Sequence, residues 1–207
     1  MRSIVVRRRA KRRLWSAGVA AFAALACCGV AYAARTSAMA EVHATINQAL
    51  KILANPAYKA EPEAKRAKLR NLLDDHFDFD AMARSSLGAN WKKLNHAQQK
   101  RFVQAFRRFI ERHYVNIVEG YSGQKIEYVR QSADGPGRAE VSTKVVDPRL
   151  ATPLEINYQL KRENGTWITY DLSIAGISEV ASYRDEYNDI FQRQGLAGVL
   201  RKLATAQ

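Results

Sequence analysis

The chain has 207 residues, which is enough for one domain with a sizeable apolar core. Its formal net charge of +13 would favour a partner such as nucleic acid or an anionic membrane surface. Seven of the 33 basic residues, however, lie within the first 13 positions, which contain no acidic residue. Without them 26 basic residues face 20 acidic ones, a net charge of +6, and nucleic-acid binding is no longer expected.

The basic block is followed by the other features of a secretory signal peptide. An apolar run covers residues 14–30, and Ala31-Tyr32-Ala33 supplies the small residues that signal peptidase requires. We predict cleavage after Ala33, so that residues 1–33 are a signal peptide and residues 34–207 form a single exported domain. The run of about 17 apolar residues is marginal for a bilayer core of roughly 30 Å, so an uncleaved anchor is the alternative.

Both cysteines, Cys27 and Cys28, lie in that apolar run. The mature chain therefore has no thiol for catalysis, metal binding or a disulfide. Its stability must come from the packed core.

Two amphipathic helices are predicted after the leader. Apolar residues recur at helical spacing over Met39–Ala54, and Asn55-Pro56 ends this run. A second helix spans about Glu61–Asp75, with Pro62 in its first turn. We interpret its outer face as solvated, with docking of an acidic partner as the alternative. The basic residues of this face are Lys65, Arg66, Lys68 and Arg70.

Residues 74–80 gather four Asp residues around His76, so a metal site must be considered. A calcium loop would need Gly at its sixth position and Glu at its twelfth, and neither is present. Asp78 and Asp80 instead stand where a helix N-terminus favours negative charge and side-chain acceptors. We therefore predict a helix start here and no metal site.

The stretch Phe77–Gly123 is predicted to supply an apolar wall that the rest of the chain faces. A helix begins near Phe79, and a break near Asn95 separates it from a longer helix over about Ala97–Tyr121. Gln98 lies three positions after Asn95, as in a capping box. Aromatic residues in such a wall are more typical of ordinary core, and a ligand-contacting role stays open.

The hydrophobic period then changes from 3.6 to 2, which predicts strands, with Asn164-Gly165 as a hairpin turn. In the fourth strand we expect every second residue from Ile168 to Ile174 to point inward, and Trp167, Thr169 and Asp171 to point outward. The predicted strands are Gln124–Gln131, Arg138–Val146, Leu154–Lys161 and Thr166–Ile174. The predicted closing helices are Ser178–Arg193 and Leu196–Ala204.

Helices followed by an antiparallel meander and terminal helices predict an α+β fold. We expect a curved four-stranded antiparallel sheet wrapped by N-terminal and C-terminal helices, in an NTF2-like cone with a helical annex and an apolar cavity. The predicted cavity lining consists of Phe79, Met82, Leu87, Trp91, Phe102, Phe106, Phe109, Tyr114, Val141, Val145, Ile156, Tyr158, Leu160, Tyr170, Leu172 and Ile174.

The sequence offers few groups for catalysis. It contains no G-x-S-x-G nucleophile motif, no H-E-x-x-H zinc motif and no glycine-rich phosphate loop. An isomerase in such a cone would need an inward carboxylate near a donor such as Tyr158 or Tyr170, and Asp171 is out of phase with the apolar face. We therefore expect neither an enzyme nor a cofactor, with ketosteroid-isomerase-like catalysis as the alternative.

A set of spaced motifs resembles the toluene-tolerance or Mla-type family of periplasmic phospholipid-binding proteins. The similarity runs from about residue 42 to residue 203 and includes FDFDAMARSSLG, EGYSGQKIEYV, GTWITYDLSIAGIS and SYRDEYNDIFQRQGLAGVLRKL. The family's motif positions fall on Phe77–Phe79, Trp91, Tyr121–Gly123, Tyr183 and Arg184.

The resemblance implies a monomeric periplasmic carrier that binds a phospholipid by its acyl chains and performs no chemistry on it. It implies shuttling between an outer-membrane lipoprotein–porin complex and an inner-membrane ABC transporter, which would maintain outer-membrane lipid asymmetry. Hopanoid-associated relatives share the same frame, so another apolar lipid is the alternative. We expect the lipid headgroup to meet Lys125 or Arg184 at the cavity mouth.

Overall fold

The computed structural model describes residues 37–205, and the predicted signal peptide lies outside them. Within this range the chain forms five α-helices, two 3-10 turns and one five-stranded sheet. No helix of the described range is long and apolar enough to cross a bilayer. The helices are α1 (Ala38–Ala54), α2 (Pro62–His76), α3 (Phe79–Leu87), α4 (His96–Glu119) and α5 (Glu179–Thr205). The strands are β1 (Lys125–Ala133), β2 (Arg138–Val146), β3 (Leu154–Glu163), β4 (Thr166–Ile174) and β5 (Ile177–Ser178). The 3-10 turns are Pro56–Lys59 and Gly88–Lys93.

The sheet is an antiparallel meander in the order β1-β2-β3-β4-β5. The α+β class is confirmed, but the predicted count of four strands is wrong. Ala175 and Gly176 adopt positive φ values of 50° and 82° and reverse the chain directly after β4. The two residues of β5 then pair with Ser173 and Ile174. A strand of two residues is too short to show an alternation of apolar and polar residues, so the sequence did not predict it. The NTF2-like cone stays a prediction.

Local sequence signals placed the helix starts closely, but the helix that begins at Phe79 ends at Leu87, and the 3-10 turn Gly88–Lys93 fills the interval before the predicted break near Asn95. The Asn95 side chain accepts from the Gln98 N–H at 2.9 Å, and the Gln98 side chain accepts from the Asn95 N–H at 2.9 Å, which is the predicted capping box. Asp78 caps α3 by accepting from the Ala81 N–H at 2.8 Å. Gly195, with φ 61° and ψ −165°, breaks α5 where two closing helices were predicted.

The junction between α2 and α3 is fixed to the sheet. Phe77 forms an isolated bridge with Thr169 of β4, and the Asp78 N–H donates to the Thr169 carbonyl at 2.8 Å. Lys161 of β3 adds an ion pair with the Asp78 carboxylate. These contacts hold the helical layer against the centre of the sheet.

Most helices meet in one apolar cluster, which we call the helical core. Aromatic rings fill its centre, with Phe106 lying 5.9 Å from Phe102 and 5.9 Å from Tyr183 between ring centroids. α4 packs mainly against α2, α3 and α5, and the sheet joins the same cluster through Leu172 of β4. The buried members are Leu69, Leu73, Phe79, Met82, Ala83, Leu87, Leu94, Phe102, Phe106, Phe109, Ile110, Tyr114, Val115, Leu172, Val180, Tyr187, Val199 and Leu203.

A second, smaller group of buried residues joins α1 to the sheet, and we call it the α1–sheet cluster. Helix α1 lies against β1 and β2, and contacts α2 on its other side. Tyr158 of β3 packs against both clusters and so marks the boundary between them. The buried members are Ala38, Val42, Ala139, Val141, Leu160 and Trp167.

The predicted phase of β4 is wrong in its first half. Gln159 pairs with Asp171 while Leu160 pairs with Thr169, so Tyr170 is an extra residue in the strand. This bulge turns Trp167 and Thr169 toward the helices, where they are only 9 % and 5 % exposed.

Candidate functional site

The space between α1, the end of α2 and the sheet is the candidate site. A partly open cavity there has a volume of about 20 Å³, which suits a water molecule and is far smaller than the predicted lipid cavity. Side chains from α1, α2, β3 and β4 close the rest of the space. The lining residues are Glu41, Val42, Thr45, Ile46, His76, Phe77, Tyr158, Leu160, Trp167 and Thr169.

Helix α1 forms one wall of this space and is weakly attached. Only Ala38 and Val42 of its 17 residues are buried. Its first turn is anchored by the Met39 N–H, which donates to the Gln131 side chain of β1 at 2.7 Å. Further along, the His43 ring lies 4.7 Å from the Tyr128 ring, also of β1. An element with so few buried side chains is the one whose displacement costs least.

A charged contact joins α1 to α2 at the cavity. Glu41 Oε1 lies 3.0 Å from His76 Nδ1, and each side chain is 16 % exposed. His76 Nδ1 is within ion-pair distance but makes no hydrogen bond of good geometry. We therefore treat the contact as electrostatic rather than as a directed hydrogen bond.

Two tyrosine hydroxyls lie in the apolar interior beside the site. Burial raises the pKa of Tyr158 to about 12, although a hydrogen bond with Thr143 opposes this shift. Burial also raises the pKa of Tyr114 well above its usual value, and the neighbouring Tyr183 adds to the effect. The Tyr114 hydroxyl makes no hydrogen bond within the described protein. Both groups therefore stay neutral at ordinary pH.

The structure divides the predicted cavity residues among several environments. Tyr158 contacts both clusters, and Trp91 is half-buried at the edge of the helical core with the Arg84 guanidinium 5.6 Å from its ring. The members found in the helical core are Phe79, Met82, Leu87, Phe102, Phe106, Phe109, Tyr114 and Leu172. Those found in the α1–sheet cluster are Val141 and Leu160. Those half-buried toward one end of the sheet are Val145, Ile156 and Ile174.

Tyr170 does not belong with these residues. The Arg138 guanidinium lies 5.4 Å from the Tyr170 ring, and Arg138 pairs in register with Lys161. The neighbouring pair, Ala139 and Leu160, belongs to the α1–sheet cluster on the other face. The predicted placement of Tyr170 in the cavity is therefore wrong. Because of the bulge, its side chain lies on the face of the sheet that points away from the helices.

The two predicted headgroup cations contact different elements. Lys125 begins β1 and donates to Glu127 Oε1 at 2.7 Å. Arg184 of α5 covers Gly88, and its Cδ lies 3.1 Å from the position a Cβ would take there. Gly88 has φ 52°, so a side chain at this position would be both strained and crowded.

Several lining residues were missed by sequence reasoning. Glu41 and Thr45 are four positions apart in α1, so their common side was readable from the helical period. No sequence pattern indicated the other three. His76 was assigned to a helix start. Trp167 and Thr169 were assigned to the outer face of the sheet, because the sequence does not reveal the bulge in β4.

The acidic residues considered for chemistry have structural partners. Asp171 accepts from the Val180 N–H at 3.1 Å and from the Ser178 hydroxyl at 2.5 Å, and so caps α5. Asp74 pairs with Arg107 at 3.0 Å. Among residues 37–205 no three His, Cys, Asp or Glu side chains are grouped to hold a metal ion.

Comparison with known proteins identifies the family. The family model for the MlaC protein matches residues 43–205, which is most of the chain. The chain belongs to the MlaC family. The expected resemblance is thereby confirmed.

Two curated relatives carry names from this family. The toluene tolerance protein ttg2D of Pseudomonas putida is 29 % identical over 139 residues, which cover 67 % of this chain and 64 % of that protein. The chain thus spans slightly less than two thirds of the length of this relative. The intermembrane phospholipid transport system binding protein MlaC of Haemophilus influenzae is 23 % identical over 148 residues, covering 70 % of this chain and 69 % of that protein.

A solved structure shares the fold. The phospholipid-binding protein from Ralstonia solanacearum, determined in complex with a phospholipid, aligns with a TM-score of 0.69 and 20 % identity. The alignment covers 82 % of this chain and 96 % of that protein. At this identity the similarity shows a shared fold.

Proposed function

We propose that this protein is a periplasmic carrier that binds a phospholipid by its acyl chains and releases it without chemical change. The observation that carries the proposal is the family match over residues 43–205, together with a neighbour of the same fold that was determined with a phospholipid. The carrier exchanges lipid with an inner-membrane ABC transporter complex and an outer-membrane lipoprotein–porin complex. It thereby maintains outer-membrane lipid asymmetry.

The same proposal includes the export route. Residues 1–33 are a cleaved signal peptide, and residues 34–207 are the mature domain, which acts as a monomer. The basic block, the apolar run and the Ala31-Tyr32-Ala33 motif support this assignment.

The acyl chains enter between α1 and the sheet. A small-molecule site measures about 300–1,000 Å³, whereas the present cavity measures about 20 Å³, so binding requires α1 to move away. Two acyl chains contain about 30 methylenes, and shielding them from water is worth about 25 kcal/mol at about 0.8 kcal/mol each. Withdrawing Val42, the one large side chain of α1 that is fully buried, costs about 1.5–3 kcal/mol, and exposing the half-buried apolar side chains of α1 adds to this cost. These side chains are Met39, Ile46, Ala49, Ile52 and Leu53. The gain from burying the lipid therefore outweighs the cost of opening.

Lys125 is the better of the two headgroup candidates. Met39 lies beside Gln131 and His43 beside Tyr128, so α1 runs along β1 toward Lys125. A headgroup held at the far end of α1 would meet this exposed ammonium. Arg184 instead packs against Gly88.

The test is native mass spectrometry of the purified protein, followed by lipid extraction and by uptake from vesicles of labelled phospholipid. We expect a bound mass equal to one phospholipid, and uptake without change of the lipid. An extracted hopanoid would assign the alternative ligand. A hydrolysed or isomerised product would support an enzyme.

A second candidate is a helix-docking adaptor without a lipid ligand, which the small cavity favours. It predicts that no lipid copurifies and that vesicles transfer none. That result would reject the carrier.

A further inference from the structure

A surface groove of about 550 Å³ lies beside the N-terminal end of α4, away from the candidate lipid site. Its other wall is the part of α5 that follows the break at Gly195. Arg112 of α4 holds this segment in place, because its guanidinium donates to the Leu203 carbonyl at 3.1 Å. We call this the α4–α5 groove. Its lining residues are Gln98, Arg101, Leu196, Ala197, Leu200, Arg201 and Ala204.

The floor of the α4–α5 groove is apolar. Leu196 and Leu200 are four positions apart and half-buried, and they pack against the helical core. Ala197 and Ala204 are exposed, and their small side chains leave depth beside the leucines. Such an i, i+4 ridge with flanking small residues is the surface against which a second helix packs.

The rim of the groove is positive and unpaired. Arg101 and Arg201 are exposed, and neither has a carboxylate partner among the described residues. Arg201 donates only to the Gln194 side chain, at 2.7 Å. Lys100, which lines another groove of about 330 Å³ beside α4, is likewise exposed without an ion pair in the described range. None of the described residues that line the α4–α5 groove is acidic.

Two other cations of α5 have negative partners. Lys202 lies 2.7 Å from Glu186, and Arg193 forms an ion pair with Asp189 four positions earlier. Arg201 has no such partner among the described residues, and the same holds for Arg184 farther from the groove. An apolar floor with unpaired arginines on both walls requires a ligand that is apolar on one side and acidic at its edges.

We propose that the α4–α5 groove binds an acidic amphipathic helix of a protein partner. Apolar side chains at i and i+4 of that helix cover Leu196 and Leu200, and flanking carboxylates pair with Arg101 and Arg201. A helix lying in the groove can contact both the leucine floor and the arginines, whereas a flat anionic membrane would meet the arginines and leave the leucine floor uncovered. The inference rests on the proposed function, since the partner is one of the membrane complexes that exchange lipid with the carrier.

The test places a photo-crosslinking amino acid at Ala197 of the full chain, in the cells that make the protein. We expect the crosslinked peptide, sequenced by mass spectrometry, to come from an acidic amphipathic helix of a membrane-complex subunit. The double variant Arg101→Glu with Arg201→Glu should lower the crosslink yield at least tenfold. Exchange of the partner's facing acids for Arg should restore it.

Lys59→Glu reverses one charge at an exposed position in another part of the protein, and should leave the yield unchanged. Crosslinks to a second copy of this chain, or a yield that does not respond to charge reversal, would overturn the proposal. Flotation with phosphatidylglycerol vesicles that the double variant abolishes would assign the groove to a membrane instead. Lipid retention, measured on the same variants by native mass spectrometry, should stay unchanged and tests the carrier function separately.

Discussion

Glu41 of α1 and His76 at the end of α2 lie 3.0 Å apart between Oε1 and Nδ1, at the wall of the small cavity. This contact joins the weakly attached helix α1 to an element that contributes Leu69 and Leu73 to the helical core. Opening the space between α1 and the sheet must break it. The pair is therefore positioned to set how often α1 opens.

Replacing Glu41 with Gln should increase the opening of α1 about fivefold. When the imidazole is protonated, a partly shielded ion pair is worth about 1 kcal/mol, which corresponds to roughly that factor in an equilibrium constant. Amide hydrogen exchange of residues 38–54 measures the change. Glu63→Gln is the control, because Glu63 is 79 % exposed and lies 3.9 Å from Arg66. Equal exchange rates in the two variants would show that the Glu41–His76 contact does not restrain α1.

Replacing Val42 with Asp should lower phospholipid retention at least tenfold and leave the domain folded. Val42 is 3 % exposed in the α1–sheet cluster, so an aspartate there puts a charge against the proposed acyl-chain site. The helical core contains no residue of this cluster and should keep its cooperative unfolding. Native mass spectrometry and urea unfolding measure the two effects. Ala44→Asp, at an exposed position of the same helix, is the matched control and should retain lipid.

Replacing Phe106 with Ala should lower the free energy of unfolding by about 3–5 kcal/mol. Phe106 is fully buried, and its ring lies 6.4 Å from that of Tyr187 in addition to its other aromatic contacts. Urea denaturation followed by circular dichroism measures the loss. Ile117→Ala, at a side chain that is 52 % exposed, should cost less than about 0.5 kcal/mol. If the Phe106→Ala variant kept its stability but no longer retained lipid, Phe106 would be assigned to the lipid site and not to the core.

Stability should fall as the pH rises above about 10. Burial raises the pKa of Tyr114, Tyr158, Tyr183 and Tyr187, to about 12 for Tyr158. The unfolded chain ionises these phenols near pH 10, while the folded chain keeps them protonated. The unfolded state therefore binds fewer protons, and each such tyrosine lowers stability by up to about 1.4 kcal/mol per pH unit.

Urea unfolding between pH 8 and pH 11, with tyrosinate absorbance at 295 nm, measures this slope. Tyr187→Phe should make the dependence of the free energy of unfolding on pH shallower, by up to the contribution of one bound proton. A flat dependence, or an unchanged slope in the variant, would contradict the burial of these phenols.

Sequence patterns were most informative where the deciding contacts are local. The capping box at Asn95 and Gln98, the Asp78 cap and the break at Gly195 each involve residues a few positions apart, and each was predicted. Ranges of four strands were predicted closely, because one buried face leaves a period of two in the sequence. The fifth strand was missed, since two residues cannot show a period.

The candidate site was predictable only in part. Val141, Tyr158 and Leu160 contact the α1–sheet cluster, and their strand period indicated this face. Tyr170 was placed in the cavity because nothing in the sequence marks the extra residue that reverses its side. The phenylalanines of α4 were correctly predicted to be apolar and inward, but the pattern did not show that α5 is their partner.

The sequence by itself determined the helix starts, the strand meander and the family, because capping, periodicity and spaced motifs are properties of neighbouring residues. Only the tertiary structure decided which apolar side chains face one another, that α1 closes the space over the sheet, and that Glu41 meets His76. It also decided that Arg101 and Arg201 share one groove. These contacts join residues 35 to 100 positions apart. Their geometry depends on the bulge in β4, the chain reversals and the break in α5, and a pattern of neighbouring residues does not contain that information.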